Sequence, residues 1–308
     1  MWDAPGCRTP EGTVKHFLVV ELVETLASSF LCSQALSQPA LAVEPVETSR
    51  RLLPFVDAEM IDALTYHLNQ QRSIMRLGEE VNRIEPVADE HGEYVKIHLV
   101  SGKPITTDMA LYSIGCTGAT RSLNIEAASL ETDERGPLKV NQRSQTNIPD
   151  IYAVGNVIGF PSLASTSVEQ GCLAACHAFG IPTQHTPELF PYGIYTIPEI
   201  STVGRSEEEL TGQGIPYEVG KAQYREIARG QIIGDQSRLL KLIFHLDTHE
   251  LLGVHIIGEG ASGLVHIGQA VMAFKGRVEY FINNAFNYPT LSECYKTAAF
   301  DGIHRLGA

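Results

Sequence analysis

The chain has 308 residues, 44% of them hydrophobic and 19% charged, with a formal net charge of −13. That length and apolar content leave room for a sizeable core and two or three domains, while the acidic balance argues against nucleic acid or an anionic membrane as the main partner. No run reaches the ~18 apolar residues of a membrane-spanning helix. The best candidate, residues 17–32, contains Glu21 and Glu24, and the same charges spoil it as a signal peptide. A cytoplasmic protein is expected.

Residues 1–50 do not read as part of a domain. Val20-Glu21-Leu22-Val23-Glu24-Thr25 recurs as Val43-Glu44-Pro45-Val46-Glu47-Thr48, around the polar, aperiodic spacer SSFLCSQALSQPA. A short repeat about such a spacer predicts disorder or loose helix. From Arg51 the pattern becomes regular. Residues 57–69 carry Met60, Ile61, Leu64 and Leu68 at helical spacing. Residues 75–77 form a short strand candidate, and residues 81–87 and 94–100 alternate like strands of a small antiparallel element. Residues 109–114 read as a buried strand ending at Gly115.

The most informative stretch is residues 151–171, IYAVGNVIGFPSLASTSVEQG. A short apolar strand, residues 151–154, runs into Gly155 and Asn156, and a small-residue helix begins near Leu163. Glycine at a strand end lets a ligand approach the backbone, and a helix N-terminus offers free N–H groups and a positive dipole end to a phosphate. The candidate cofactor contacts are Gly115, Gly155, Asn156, Ser162, Leu163 and Ala164. Further on, residues 241–245 and 251–257 around a turn at 247–250 predict a β-hairpin, and residues 263–274 an apolar helix.

Several patterns read more plainly as structure than as sites. Gly258-Glu259-Gly260-Ala261-Ser262-Gly263 matches GxGxxG, with Glu279 near the spacing of a ribose-binding acid. Its preceding strand reads as hairpin-paired, and residues 281–287 make a poor second parallel strand, so coincidence is the favoured reading. The six cysteines, Cys7, Cys32, Cys116, Cys172, Cys176 and Cys294, show no CxxC. Cys172 and Cys176, one helical turn apart, read as small apolar residues on a buried helix face. His245 and His249 fall on a hairpin rather than a helix, which disfavours a shared metal. His255 and His266 read as core or interface residues. No metal ligands and no catalytic residues are assigned.

The motif at residues 151–171 resembles the second flavin-binding motif of the FAD-dependent pyridine nucleotide-disulfide reductases, with Asn156 where the family has an aspartate on the flavin's ribityl chain. Residues 193–201, Val203-Gly204, residues 216–220, 286–290 and 301–306 narrow the resemblance to the family's Si-specific transhydrogenase branch. It covers the chain from about Arg51 onward and leaves residues 1–50 without a counterpart. It implies FAD as cofactor, NAD and NADP as substrates, hydride transfer between NADPH and NAD+, and a homodimer. The implied fold is α/β plus α+β, a partial FAD/NAD(P)-binding Rossmann-like region followed by a C-terminal antiparallel-sheet dimerisation domain. Residues 51–115 would be a partial NAD(P)-binding domain, residues 116–185 a partial FAD-binding domain and residues 186–308 the dimerisation domain. Against the family pattern, the N-terminal FAD fingerprint, the glycine-rich NAD(P) turn and the redox cysteine pair are absent, Cys116 replaces an arginine, and Tyr288 stands where the reductases carry an acid–base histidine, near Glu293. The transhydrogenase branch itself lacks the cysteine pair. The alternative reading is a catalytically inactive, truncated remnant that retains a dimerisation domain.

Overall fold

The computed structural model describes residues 16–20, 42–90, 92–112, 120, 123–133, 136–159, 163–183, 189–235 and 238–307. The C-terminal unit is built on a five-stranded antiparallel sheet of β8 (Tyr192–Ile194), β9 (Ile200–Gly204), β10 (Tyr217–Gln223), β11 (Leu239–His245) and β12 (Leu251–Ile257), in the order β10-β11-β12-β9-β8. The β11–β12 hairpin is the expected one, two residues longer on β11. Its sequence, LLKLIFH, is apolar on both faces because both faces are covered. Leu240, Leu242, Phe244, Val254 and Ile256 join one core cluster, with Leu264 and Val265 of the helix Ala261–Ala273 and Tyr295 and Ala298 of the helix Glu293–Arg305. Tyr295 clasps the two helices, accepting from the Gly268 N–H at 3.1 Å and donating to the Leu264 carbonyl at 2.9 Å.

The opposite face carries Leu239, Lys241, Ile243, His255 and Ile257. Against it packs α1 (Ala58–Gln70), whose Met60, Ile61, Leu64 and Leu68 are all buried, as the 3.6-residue spacing predicts. They form one cluster with Leu52, Leu53, Val56, Ile194, Ile200 and Ile257. Asp57 caps α1, accepting from the Glu59 N–H at 3.1 Å. The same carboxylate is only 1% exposed and takes both oxygens to the equally buried Lys241 ammonium, at 3.0 and 2.9 Å. Glu59 at 3.2 Å and Glu207 complete the ring around that ammonium.

Of the first fifty residues the structure describes 16–20 and 42–50, and two strands lie there. β1 (His16–Val20) and β2 (Ala42–Glu47) are parallel strands of a four-stranded sheet with β3 (Arg76–Leu77) and β7 (Met109–Tyr112), in the order β3-β2-β1-β7. Val46, in the second copy of the repeat, is 1% exposed and packs with Ile97, Leu99 and Ile105. Arg76 pairs with Glu44 at 2.8 Å across the β2–β3 edge. The first half of the parallel unit is therefore represented by two strands rather than missing.

β4 (Val81–Asp89), β5 (Gly92–Leu99) and β6 (Pro104–Thr107) form the expected small antiparallel element, extended by a third strand. β7 stops at Tyr112, which is 60% exposed, and residues 113–119, with Gly115 and Cys116, lie outside the described residues. Residues 151–154 do not form the expected strand. Tyr152 makes one isolated antiparallel bridge to Gln145, because the described chain places no sheet beside it.

The seam between α1 and the sheet generates two predictions. Breaking a buried pair leaves an uncompensated charge, which costs about 3–5 kcal/mol. Lys241→Ala or Asp57→Ala should therefore lower the urea-derived stability by that order, while Lys241→Met with Asp57→Leu should cost far less; equal losses would count against a stranded charge as the cause.

The second prediction concerns His255, fully buried, with Nε2 donating to the Arg205 carbonyl at 3.0 Å and Nδ1 facing the Thr202 hydroxyl at 2.6 Å. Burial pushes its pKa below the ordinary value, so the folded ring stays neutral where the unfolded ring takes up a proton. Stability should fall as pH drops below about 6.5. His67, also shifted down by burial, contributes with the same sign. Comparing wild type with His255→Gln from pH 5 to 8 isolates the His255 share; an unchanged pH slope would count against it.

Candidate functional site

The helix that follows the Gly155 motif is α2 (Ala164–Ala178), starting one residue after the expected position with Leu163 at its N-cap. Leu163 supplies no side-chain cap. The first-turn N–H groups of Ala164, Ser165 and Thr166 have no intrahelical acceptors by construction, and the positive end of the helix dipole lies there. Gly155 has φ +74°, where a Cβ is strained, and a Cβ built on it would sit 3.0 Å from the Ser167 hydroxyl oxygen. The glycine therefore lets the loop press onto the first turn of α2. Two further bonds fix this arrangement. The Gly155 N–H donates to the Gln170 side chain at 2.8 Å, and the Ser167 hydroxyl donates to the Leu163 carbonyl at 2.8 Å.

Asn156 lies in a short 3-10 turn, Gly155–Ile158, and is exposed. Its backbone carbonyl accepts from the Gly159 N–H at 3.2 Å. The structure thus brings Gly155 against the start of α2, where Leu163 and Ala164 sit, while Ser162 and Gly115 lie outside the described residues. Gln170 and Ser167 are participants that motif reading missed. Their signal was a helical spacing of four and seven residues from Leu163, which places one on each turn of the face toward Gly155.

Cys172, expected on a buried helix face, is exposed, and Cys176 is half-buried. The helix packs on the described chain through Thr166 and Ala174, and Val168 and Phe179 stay 68% and 82% exposed. The apolar content of α2 is thus only partly covered.

The GxGxxG segment is no dinucleotide cradle. β12 pairs antiparallel with β11 and β9, so the sheet is not the parallel βαβ unit the motif needs. A Cβ on Gly258 would meet the Tyr224 ring at 2.7 Å, and the Tyr224 hydroxyl bonds the Glu259 carbonyl at 3.3 Å. Protein already fills the approach to the backbone. Glu279, at ribose-acid spacing, instead binds His249 Nδ1 at 2.6 Å and Arg277 at 2.9 Å. His245 Nδ1 takes the Asp247 and Thr248 N–H groups, so the two hairpin histidines serve separate structural contacts. His266 is exposed on its helix, at 2.7 Å from Gln269. Glu293 accepts from the Thr290 N–H at 3.3 Å, a structural contact, and Tyr288 is 74% exposed. A cavity of about 640 Å³ lined by Arg205, Glu250, His266, Gln269 and Met272 lies on the C-terminal unit, away from Gly155.

Comparison with known proteins bears on both halves. Residues 28–171 match the family of pyridine nucleotide-disulphide oxidoreductases, and residues 190–299 match the dimerisation domain of the same family. The first match begins within the stretch set apart as residues 1–50. The soluble pyridine nucleotide transhydrogenase of Salmonella paratyphi B is 49% identical over 268 residues, 86% of this chain and 57% of the relative. That of Erwinia tasmaniensis is 49% identical over 271 residues, 87% of this chain and 57% of the relative. The chain thus spans a little over half the length of these relatives. Among solved structures, the HOCl-induced flavoprotein disulfide reductase RclA from Escherichia coli superposes with a TM-score of 0.85 at 22% identity, over 94% of this chain and 66% of that one. LpdA from Mycobacterium tuberculosis gives 0.84 at 21% identity, over 97% and 63%. These two share the fold, a parallel-sheet unit joined to a C-terminal antiparallel sheet. Sequence and fold agree, and the chain belongs to the pyridine nucleotide-disulphide oxidoreductase family.

Proposed function

We propose that the chain forms the flavin-ring and dimerisation part of an FAD-dependent oxidoreductase of the transhydrogenase type, the class that moves hydride from NADPH to flavin and on to NAD+. The observation that carries this reading is the geometry at the start of α2. A positive-φ glycine is pressed onto the helix, an exposed Asn156 stands beside it, and the helix N-terminus has no side-chain cap. These residues fit one end of an FAD. The flavin, when bound, accepts and returns the hydride. The chain's own part is to bind and orient: the Asn156 amide would hold a ribityl hydroxyl, and the N–H groups of Ala164 to Thr166 would face electron-rich oxygens. No side chain is given a proton to move, since hydride passage between nicotinamide and flavin needs no acid–base group in the place of Tyr288. Residues 190–299 would pair two copies into a homodimer, in the cytoplasm.

A second reading, a dimerisation module without catalysis, is favoured by one observation. The sequence contains a single GxGxxG, and it is sealed within the antiparallel sheet. The adenosine and pyrophosphate end of FAD therefore has no cradle among the described residues.

A visible spectrum of the purified chain, with and without added FAD, separates the two. Under the first reading, excess FAD gives a weak, saturable bound-flavin spectrum, and transhydrogenase activity of the chain alone stays near background. Asn156→Asp replaces a neutral hydrogen bond by a charge-assisted one, worth roughly 1 kcal/mol, so it should tighten FAD by no more than about tenfold. No spectral change at any FAD concentration leaves the module reading. Tightly held, stoichiometric FAD would overturn the module reading and leave the enzyme reading. Sizing should show a dimer; a strict monomer would remove the shared part of both readings.

A further inference from the structure

We infer that Cys172 and Cys176 of α2 form a two-thiolate site for a soft monovalent cation of the Cu(I) class. The flavin reading does not call for such a site, and the two stand or fall separately.

A cysteine sealed in a core is inert, but these two are not sealed. Both are free thiols, Cys172 exposed and Cys176 half-buried. They lie toward the outer side of α2, where Val168, Cys172, Ala175 and Phe179 are exposed at intervals of four, three and four residues. The buried residues of the helix, Thr166 and Ala174, face the other way. A cation in solvent therefore reaches the pair without any opening of the fold.

Helical spacing decides what the pair can hold. Side chains four positions apart have Cβ atoms about 5–6 Å apart, whereas a disulfide needs about 3.5–4.5 Å. The helix runs unbroken from Ala164 to Ala178, so an S–S bond would have to unwind a turn of it, and the pair stays as two thiols. Two metal–sulfur bonds of about 2.3 Å in line span roughly 4.6 Å, a gap that matches the natural spacing of the two side chains.

The surroundings set the coordination number. Among the described residues no group of three or more His, Cys, Asp and Glu is placed to share an ion. His177 follows Cys176 directly, but its Nδ1 lies 3.3 Å from the Arg143 carbonyl and its Nε2 3.2 Å from the Thr183 hydroxyl, so both ring nitrogens are engaged. Zinc takes four ligands in structural sites and three plus water in catalytic ones, and here it finds two. Soft thiolates select Cu(I), and two sulfurs in line satisfy a d10 cation. Binding is a proton exchange with no change of oxidation state. Two S–H bonds break, two S–Cu bonds form, two protons leave to solvent, and the site passes from neutral to a net charge of −1. The bound ion links two successive turns of α2.

The test uses the full-length, reduced chain carrying Cys7→Ser, Cys32→Ser and Cys116→Ser, which keeps Cys172, Cys176 and the fully buried Cys294. It is titrated without oxygen with Cu(I) presented as its bicinchoninate complex. The chain should withdraw one Cu(I), with a thiolate-to-metal band in the ultraviolet. Cys172→Ser or Cys176→Ser should each weaken binding roughly a hundredfold or more, as losing one of two linked ligands does. Adding Ala175→Cys to Cys176→Ser restores a thiol on the same face, three residues from Cys172, and should recover binding; failure to recover it overturns helical spacing as the basis of the site. No uptake, or uptake undiminished in either single variant, overturns the inference. Zn(II) held as tightly as Cu(I) overturns the two-coordinate assignment. Should the triple-serine chain lose the wild-type thermal transition, wild type is compared with Cys172→Ser/Cys176→Ser. One Cu(I) fewer per chain is then expected, and an equal stoichiometry overturns the inference. Flavin absorbance plays no part in these readouts, so their failure leaves the proposed function untouched.

Discussion

The Lys241–Asp57 pair ties the two halves of this molecule together. A lysine in the middle of an apolar strand faces a helix cap contributed by residues 184 positions earlier in the chain. Burial alone would drive the lysine toward its neutral form, but the Glu207 and Asp57 carboxylates outweigh that and hold its pKa above the ordinary value. Burial likewise works against the Asp57 charge, and the ammonium holds that carboxyl below its usual range. His255 faces the same pair, yet it is neutral at physiological pH, so Lys241 is the counter-charge that matters. Such a pair adds little net stability over an apolar substitute. What it adds is geometry: an α1 rotated or slid by one residue would strand both charges.

Around that seam, what could be read from the sequence followed the range of the interactions. α1 announced itself through Met60, Ile61, Leu64 and Leu68, because a helix and its apolar stripe are local. The β11–β12 hairpin was equally legible, since its turn lies within the same short stretch. The GxGxxG match could be set aside from sequence for the same reason: the hairpin partner of β12 is adjacent. β1 and β2 were not legible. Their partners lie as far away as Met109, Pro45 interrupts the β pattern, and the Val-Glu repeat resembles low complexity when no neighbouring strand is in view.

The candidate flavin site shows the complementary failure. Gly155 and α2 were placed correctly from a turn signal and a run of small residues. The apolar tetrapeptide before them was read as a strand, yet hydrophobicity alone cannot make one. A strand needs partners for its N–H and C=O groups, and Tyr152 finds a single bridge. Cys172 erred in the same direction, since a helix face is buried only where something packs on it. Gln170 and Ser167, which hold the loop, are polar residues inside a helix, and nothing in their identity marks them until the glycine is seen beside them.

The α1 seam also has a consequence in time. The apolar face of α1 is complete once residue 68 has left the ribosome, but the surface that covers it includes Ile194, Ile200 and Ile257. At about 5–20 residues per second, the interval before residue 257 emerges is on the order of ten to forty seconds. Through that interval Met60, Ile61, Leu64 and the unpaired Asp57 have only local contacts to make. The fold closes from its C-terminal end backward, and a nascent chain of this sequence presents a sticky, half-finished helix for longer than a typical domain takes to fold.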